Sequence, residues 1–554
     1  MHDFQKPLSQ HERLHYNSLT RENIEFLRNR YNHTNRWVIA DMLRRSRYHF
    51  PEKPALIFKN MSLTYAELED ECNRVANALL ALGIRKYDRV AILARNTLHH
   101  VLTWFGCAKS GAVYLAVNYL LQGEEIAYCI RHSESRVFIV EDDFYDLVKD
   151  VLDDIPNVET LIWSDHGSGQ PCTDARFLEF DAWYKPCSID EPDVILHIED
   201  PLQMTYTSGT ESLPKGVITP NQALIAQYMG CIIEGEYESC DVNVNALPLY
   251  HCAQRDVMMN PVFYIGGTNV LITPNIEEIL SNLEYYKATM FFAPPTVWIG
   301  ILRHPEFEKH DLSNLKKFYY GASIMPVEIL KQIMQKFPGV KIYNYYGQTE
   351  LAPYHTILKA EDAMTKLGSA GMGGINMETK LEDDNGNAID ITDTAGEICG
   401  RGPHVMMHYF KEPEKTEDIM RSGWFHSGDL GQLDEDRYIQ VVDRKKDMVK
   451  TGGENVSSRE VEEIIYQDSR VKEVAVIGIT DPKWVEAVTA VIVPRQGAHI
   501  IEADIVNLCK KTLAPFKVPK KVVFVDDLPK TPSGKVLKRQ LRAKYNEIFV
   551  RKAS

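Results

Sequence analysis

The chain has 554 residues, of which 44% are hydrophobic and 25% charged, so general disorder and a chain embedded in lipid are both excluded. A formal net charge of -15 repels phosphate backbones and anionic membrane surfaces, which argues against nucleic acid or membrane as a bulk partner. Ten cysteines without a CxxC pair exclude a zinc ribbon or thioredoxin-like site, and read as small buried hydrophobes in a reducing compartment.

At about 100–200 residues per domain the length predicts several compact units. Residues 1–35 are polar and charged and read as an N-terminal helical extension. No apolar core of a signal peptide opens the chain. The longest apolar stretch, 291–302, is short and proline-broken, so no transmembrane segment and a cytoplasmic location are expected. From Trp37 onward a helical pattern at 65–83 alternates with apolar runs at 89–93, 113–117 and 136–140, which predicts an α/β fold of parallel sheets with helices on both faces. A D-E-D turn and a Gly-Gly pair at 430–455 mark a domain junction, followed by helix 458–467, strands at 474–479 and 488–494, and a helix near 502–513.

Residues 202–207 alternate like a strand and run into TYTSGTESLPKG, 205–216. Thr207, Ser208, Gly209, Thr210, Lys215 and Gly216 bring hydroxyl donors, open backbone N–H groups and a cation to one loop, as a polyphosphate requires. By composition alone an ordinary Ser/Thr/Gly turn is the commoner origin. The loop is not a Walker A sequence, because Pro214 stands where glycine is needed. GSAGMGGIN (368–376) is not a dinucleotide fingerprint, because Asn376 holds the last glycine position.

That loop, together with NYYGQTE (344–350), GEICGRG (396–402), GWFHSGDL (423–430), VDRKKDMVKTGGENV (442–456) and LPKTPSGKVLKR (528–539), resembles in order and spacing the adenylate-forming superfamily of acyl-CoA synthetases, firefly-type luciferases and peptide-synthetase adenylation domains. The likeness runs from about Trp37 to the C-terminus and is nearest to a fatty acyl-CoA synthetase. It implies a large domain, 36–445, of doubly wound sheets plus a small β-barrel-like subdomain, and a small mobile C-terminal α/β domain, 446–554. One departure is Glu211 after TSGT, a carboxylate expected to point away from the phosphates.

The implied chemistry uses ATP, magnesium and coenzyme A. A carboxylate attacks the α-phosphorus of ATP, and the acyl group then passes to CoA. The resemblance assigns Thr207, Ser208, Gly209, Thr210 and Lys215 to the outer phosphates, Thr349 to the α-phosphate, Gly347 and Gln348 beside it to ATP binding, and Glu350 to magnesium. Tyr346 resembles the residue on the adenine face, the Gly321-Ala322-Ser323 turn the strip along its edge, and Asp429 and Arg444 the pair at the ribose. Lys535 resembles the catalytic lysine, which stabilises charge developing in the transition state. The C-terminal domain is expected to rotate about Lys446 and bring Gly452 and Gly453 to the CoA tunnel. Read singly, Asp429 would be a turn residue, Glu350 and Lys535 solvated charges, and Tyr346 a core aromatic.

For the acyl site the resemblance points to His251, Phe292, Gly321 and Tyr345. FFAPPTVW (291–298) suits a hydrophobic acid, with a medium- or long-chain fatty acid expected first and an aromatic acid second. Gln254, Arg255 and Asp256 either pair with one another or read a substrate group; Cys252 is expected to be a buried cysteine and not an acyl carrier. The partners are then a small carboxylic acid, ATP and CoA, in a monomer or homodimer. An aryl or amino-acid adenylation enzyme serving a carrier protein is the alternative, with Asp256 as the group for a substrate amine. A luciferase-like oxygenase and a catalytically silent acyl or nucleotide sensor are further readings.

Overall fold

The computed structural model describes residues 9, 12–166, 172–207, 214–321, 325, 327–445, 447–451, 454–481, 484–530 and 536–546. Two large sheets dominate the first part of the chain. In the nine-stranded sheet the strands Lys341–Tyr346, Lys317–Gly321, Met290–Phe292, Val242–Asn245, Thr268–Leu271 and Pro54–Phe58 are neighbours in that order, all parallel, with antiparallel strands at the edges. In the eight-stranded sheet Pro201–Thr207 lies beside Val113–Ala116, and Lys215–Pro220 folds back antiparallel to it. The apolar runs expected at 89–93, 113–117 and 136–140 are its strands Arg89–Leu93, Val113–Ala116 and Ser135–Glu141.

Between the sheets lie the helices Tyr65–Ala81, Leu98–Ser110 and Asn221–Glu234. One core joins Leu56 of the first sheet, Val75, Phe105 and Tyr228 of these helices, and Ile92 and Tyr114 of the second sheet. Such residues read as near-continuous apolar runs because parallel strands are buried on both faces. The first helix starts with a capping box, in which the Thr64 side chain accepts from the Glu67 N–H and Glu67 accepts from Thr64.

A five-stranded antiparallel sheet follows, ending in Phe425–Leu433 and Ile439–Arg444. The third unit is built on the long hairpin Val471–Asp481 and Val485–Pro494, with Ser458–Ile465 and Glu502–Thr512 on one face and Lys538–Tyr545 on the other. It is anchored beside Ile439–Arg444: Asp443 Oδ2 accepts from the backbone N–H and the hydroxyl of Ser458 at 2.7 and 2.6 Å. The N-terminal extension carries the helix Arg21–Arg30 and docks on the large unit, where Asn32 donates to the carbonyl of Leu196 at 2.7 Å and accepts from its N–H at 3.2 Å. Among the described residues no helix is long and apolar enough to cross a membrane.

Candidate active site

The carboxyl ends of the parallel strands open on a cleft of about 2760 Å³, bounded on its far side by the C-terminal unit. Ligands of open α/β sheets bind at strand ends for this reason: loops there converge while the strands stay fixed. Thr207, Lys215, His251, Phe292, Tyr345, Tyr346, Gly347, Gln348, Thr349, Glu350, Asp429 and Arg444, singled out from separate stretches of sequence, all line this one cleft. Gly321 lies one layer back, paired with Tyr345 in the sheet; a Cβ there would stand 2.5 Å from the Tyr345 carbonyl oxygen, so only glycine fits. Ser208, Gly209, Thr210, Glu211, Ala322, Ser323, Lys446, Gly452, Gly453 and Lys535 lie outside the described residues. Val536, which follows Lys535, is on the cleft wall with Leu537 and Lys538.

Asp429 and Arg444 are direct cross-strand partners, and Arg444 Nε reaches Asp429 Oδ1 at 3.2 Å. The Tyr346 hydroxyl donates to Asp429 Oδ2 at 2.7 Å, which pins the ring beside the carboxylate. Burial and that neighbouring carboxylate hold the phenol well above its ordinary pKa, so it stays a donor. The Asp429 carboxylate raises the pKa of Arg444 further. Each carboxylate oxygen keeps a second lone pair for a vicinal diol. The turn before Asp429 needs Gly428 at φ +71°, and the Gly428 N–H is held by Glu397 at 3.1 Å.

Behind that turn Glu382, Cys399 and His426 meet, with His426 Nδ1 3.3 Å from Cys399 Sγ and 3.8 Å from Glu382. These are metal-ligating residue types, but Lys380 pairs with Glu382 at 2.6 Å and Arg421 with Glu397 at 3.1 Å. Their charge is already balanced, and the cluster buttresses the turn before Asp429.

Glu350 behaves differently. Its Oε1 accepts from the Tyr409 hydroxyl at 2.6 Å, while no donor among the described residues reaches Oε2, although the residue is only 8% exposed. A carboxylate oxygen left open on a cleft that also carries Thr349 and Lys215 fits a hard divalent ion such as magnesium. Tyr409 escaped the sequence reading because an aromatic in MMHYF carries no mark beyond that of a core residue.

On the acyl side one expectation is narrowed and one pair of alternatives is decided. Of FFAPPTVW only Phe292, Pro295 and Thr296 reach the cleft; Phe291 and Trp298 pack into the core on the other face of the sheet, with Trp298 stacked on Phe318 at 4.5 Å. Strand alternation sends neighbouring side chains to opposite faces. Arg255 and Asp256 are fully buried in the π-helix Ala253–Met259 and bind each other at 2.9 Å, so neither reads a substrate group. Cys252 is buried beside Thr349, its Sγ 3.5 Å from the Thr349 hydroxyl, and burial pushes its thiol up to about 11.

Comparison with known proteins agrees with this geometry. The description "AMP-binding enzyme" matches residues 43–410 and "AMP-binding enzyme C-terminal domain" residues 460–535. A feruloyl-CoA synthase of Amycolatopsis sp is 33% identical over 89% of this chain and 96% of its own length. The long-chain-fatty-acid–CoA ligase FadD13 of Mycobacterium tuberculosis is 31% identical over 88% of this chain and 94% of its own. The crystal structure of the anthranilate CoA ligase AuaEII in complex with anthranoyl-AMP superposes with a TM-score of 0.85 at 26% identity, covering 94% of this chain and 98% of that one. Strand-end cleft, paired Asp429 and Arg444, and these likenesses together establish that the chain belongs to the AMP-binding enzyme family, as one of its acyl-CoA synthetases.

Proposed function

We propose that the enzyme joins a compact hydrophobic acid, aromatic rather than long-chain, to the α-phosphate of ATP, releases pyrophosphate, and passes the acyl group to the thiol of coenzyme A with release of AMP. The observation that carries the first step is the open oxygen of Glu350, in one cleft with Thr349, Lys215 and the Asp429–Arg444 pair. Glu350 would hold magnesium, which when bound neutralises charge on the phosphates. Lys215 and Thr207 face the outer phosphates, Thr349 the α-phosphate, Tyr346 the adenine, and Asp429 with Arg444 the ribose. Placing both anions in one cleft replaces a bimolecular encounter with a positioned attack.

Lys535 is assigned the transition-state charge at the α-phosphorus, and Val536 on the cleft wall is in keeping with that. For the second step the unit after residue 445 is assigned a rotation with Lys446 as the hinge, and Gly452 and Gly453 are assigned to the passage of the pantetheine arm.

The preference for a compact acid comes from the wall of the cleft that carries Tyr345 and Tyr354. Tyr345 and Tyr354 meet edge to face at 5.2 Å, and Tyr319 stacks on Tyr343 at 5.0 Å. Cys231, Tyr237 and Met258 pack in the same cluster behind them, so the site is closed on this side, which supports a compact acid. The likenesses to the feruloyl- and anthranilate-CoA ligases support an aromatic acid, and that to the fatty-acid ligase FadD13 keeps a fatty acid as the second reading.

Pyrophosphate release measured with hydroxycinnamic, benzoic and indole acids and with fatty acids graded from six to sixteen carbons tests both. The expected maximum is an aryl acid, with thioester formed only when CoA is present. A maximum at twelve carbons or more sinks the compact-acid reading; acid-dependent release with no thioester sinks CoA as acceptor. In the same assay Lys535→Ala is expected to lower adenylation by about 100-fold or more while supplied acyl-adenylate still yields thioester.

A further inference from the structure

Tyr409 belongs to the two-residue strand His408–Tyr409, antiparallel to Lys215–Pro220, with Tyr409 opposite Val217. This pairing brings a residue from late in the large unit to the base of the phosphate loop. Backbone bonds fix it there: Met407 N–H donates to Ile218 O and Phe410 N–H to Gly216 O, each at 2.8 Å, and Met406 N–H donates to the Glu350 carbonyl at 2.8 Å. The ring is 3% exposed and lines the cleft.

Two charged groups meet this one side chain. The Lys215 ammonium stands over the ring face, 4.0 Å from its centroid, where the ring quadrupole attracts a cation. At the ring edge the hydroxyl donates to Glu350 Oε1 at 2.6 Å, a short charge-assisted bond. That bond consumes one carboxylate oxygen and so selects the rotamer that turns Oε2 to the cleft. Without it Glu350 would retain several rotamers, and ordering one of them would fall on metal binding.

We propose that Tyr409 is a positioning residue that sets the Glu350 carboxylate for the divalent ion and the Lys215 ammonium for the phosphates, linking the two through one ring. The inference rests on the reading of Glu350 as the metal ligand. Groups that hydrogen-bond a metal-ligating carboxylate tune affinity by about 10–100-fold, so the effect is large enough to measure.

The test uses the full-length enzyme and titrates Mn²⁺, followed by electron paramagnetic resonance, with a non-hydrolysable ATP analogue bound, and measures affinity for the same analogue without metal. Tyr409→Phe removes the hydroxyl and keeps the ring. It is expected to weaken Mn²⁺ binding about 10-fold, to leave metal-free nucleotide affinity within about twofold, and to recover most of its pyrophosphate-release rate at high Mg²⁺. Tyr409→Leu also removes the ring face, and is expected to weaken metal-free nucleotide binding as well; if it does not fold, the phenylalanine variant decides alone. Wild-type Mn²⁺ affinity in Tyr409→Phe, or equal losses of nucleotide and metal, overturns the proposal. Glu350→Gln is the control: if it too binds Mn²⁺ like the wild type, the metal assignment of Glu350 has failed; if it loses the ion while Tyr409→Phe does not, only the role of Tyr409 has failed.

Discussion

Two constellations of buried charge flank the cleft, and they differ in where their last hydrogen-bonding atom points. Arg255 and Asp256 are fully buried and satisfied within the fold: the guanidinium donates to Leu249 O at 3.1 Å and to Gln203 Oε1 at 2.7 Å, and lies 5.0 and 5.2 Å from the Trp104 and Tyr114 rings. Asp256 accepts from Gln203, Tyr228 and Asn260 at 3.1 to 3.2 Å. Glu350 is almost as deep, yet leaves Oε2 open toward solvent space large enough for a nucleotide. Buried charge alone does not mark a reacting site, because structural networks bury charge too; an unspent atom facing a cavity does.

Breaking the closed network should therefore cost stability and not chemistry. Asp256→Ala strands the Arg255 cation in the core, and a loss of about 3–5 kcal/mol is expected from urea unfolding. Replacing Arg255 and Asp256 together by apolar residues of similar volume should recover most of it, because no unpaired charge remains. A loss below about 1 kcal/mol combined with a changed acid preference would show that the pair reads the substrate after all.

The open constellation should respond the other way. Asp429→Ala leaves Arg444 with a side chain already 43% exposed, so the stability change is expected to stay within about 1 kcal/mol. Loss of two hydrogen bonds from a charged acceptor to the ribose should raise KM for ATP by about 10–100-fold. Measured with ATP and with 2′,3′-dideoxy-ATP, wild type should discriminate strongly and the variant hardly at all. Equal discrimination by both proteins would remove Asp429 from the ribose site.

The contrast also explains what could be read from the sequence. Strands at 89–93, 113–117 and 136–140 were legible because parallel strands buried on both faces must be apolar runs, the strand at 202–207 because its side chains alternate, and helix 65–83 because its apolar spacing is local. Asp429 and Arg444 were legible from motif order, and the sheet register makes them partners. Arg255 and Asp256 were not resolved, because adjacent charges look alike whether they face solvent, substrate or one another; what decides is Gln203 and Tyr228, contributed by other elements. Phe291 and Phe292 looked equivalent until the strand turned one to the core and the other to the cleft. Tyr409 was invisible because its meaning lies in a contact with Glu350 made by strand pairing far along the chain.

Cys252 sharpens the comparison with the smallest expected effect, because it sits between the two constellations: on the cleft, yet closed by burial. It is 1% exposed, its Sγ touches only the Thr349 hydroxyl at 3.5 Å among the hydrogen-bond partners described, and burial raises its thiol to about 11. At pH 8 that leaves about one thiolate per thousand molecules, too few for a nucleophile that must turn over. Iodoacetamide should label Cys252 slowly at pH 8, with a rate that rises about 10-fold per pH unit toward 11, and ATP should slow it by covering the cleft. Cys252→Ala should change pyrophosphate release by less than about threefold, consistent with a small buried side chain whose loss leaves little cavity. A covalent acyl-enzyme trapped on Cys252, or its rapid labelling at neutral pH, would instead place a reactive thiol in the cleft and move this residue from the closed set to the open one.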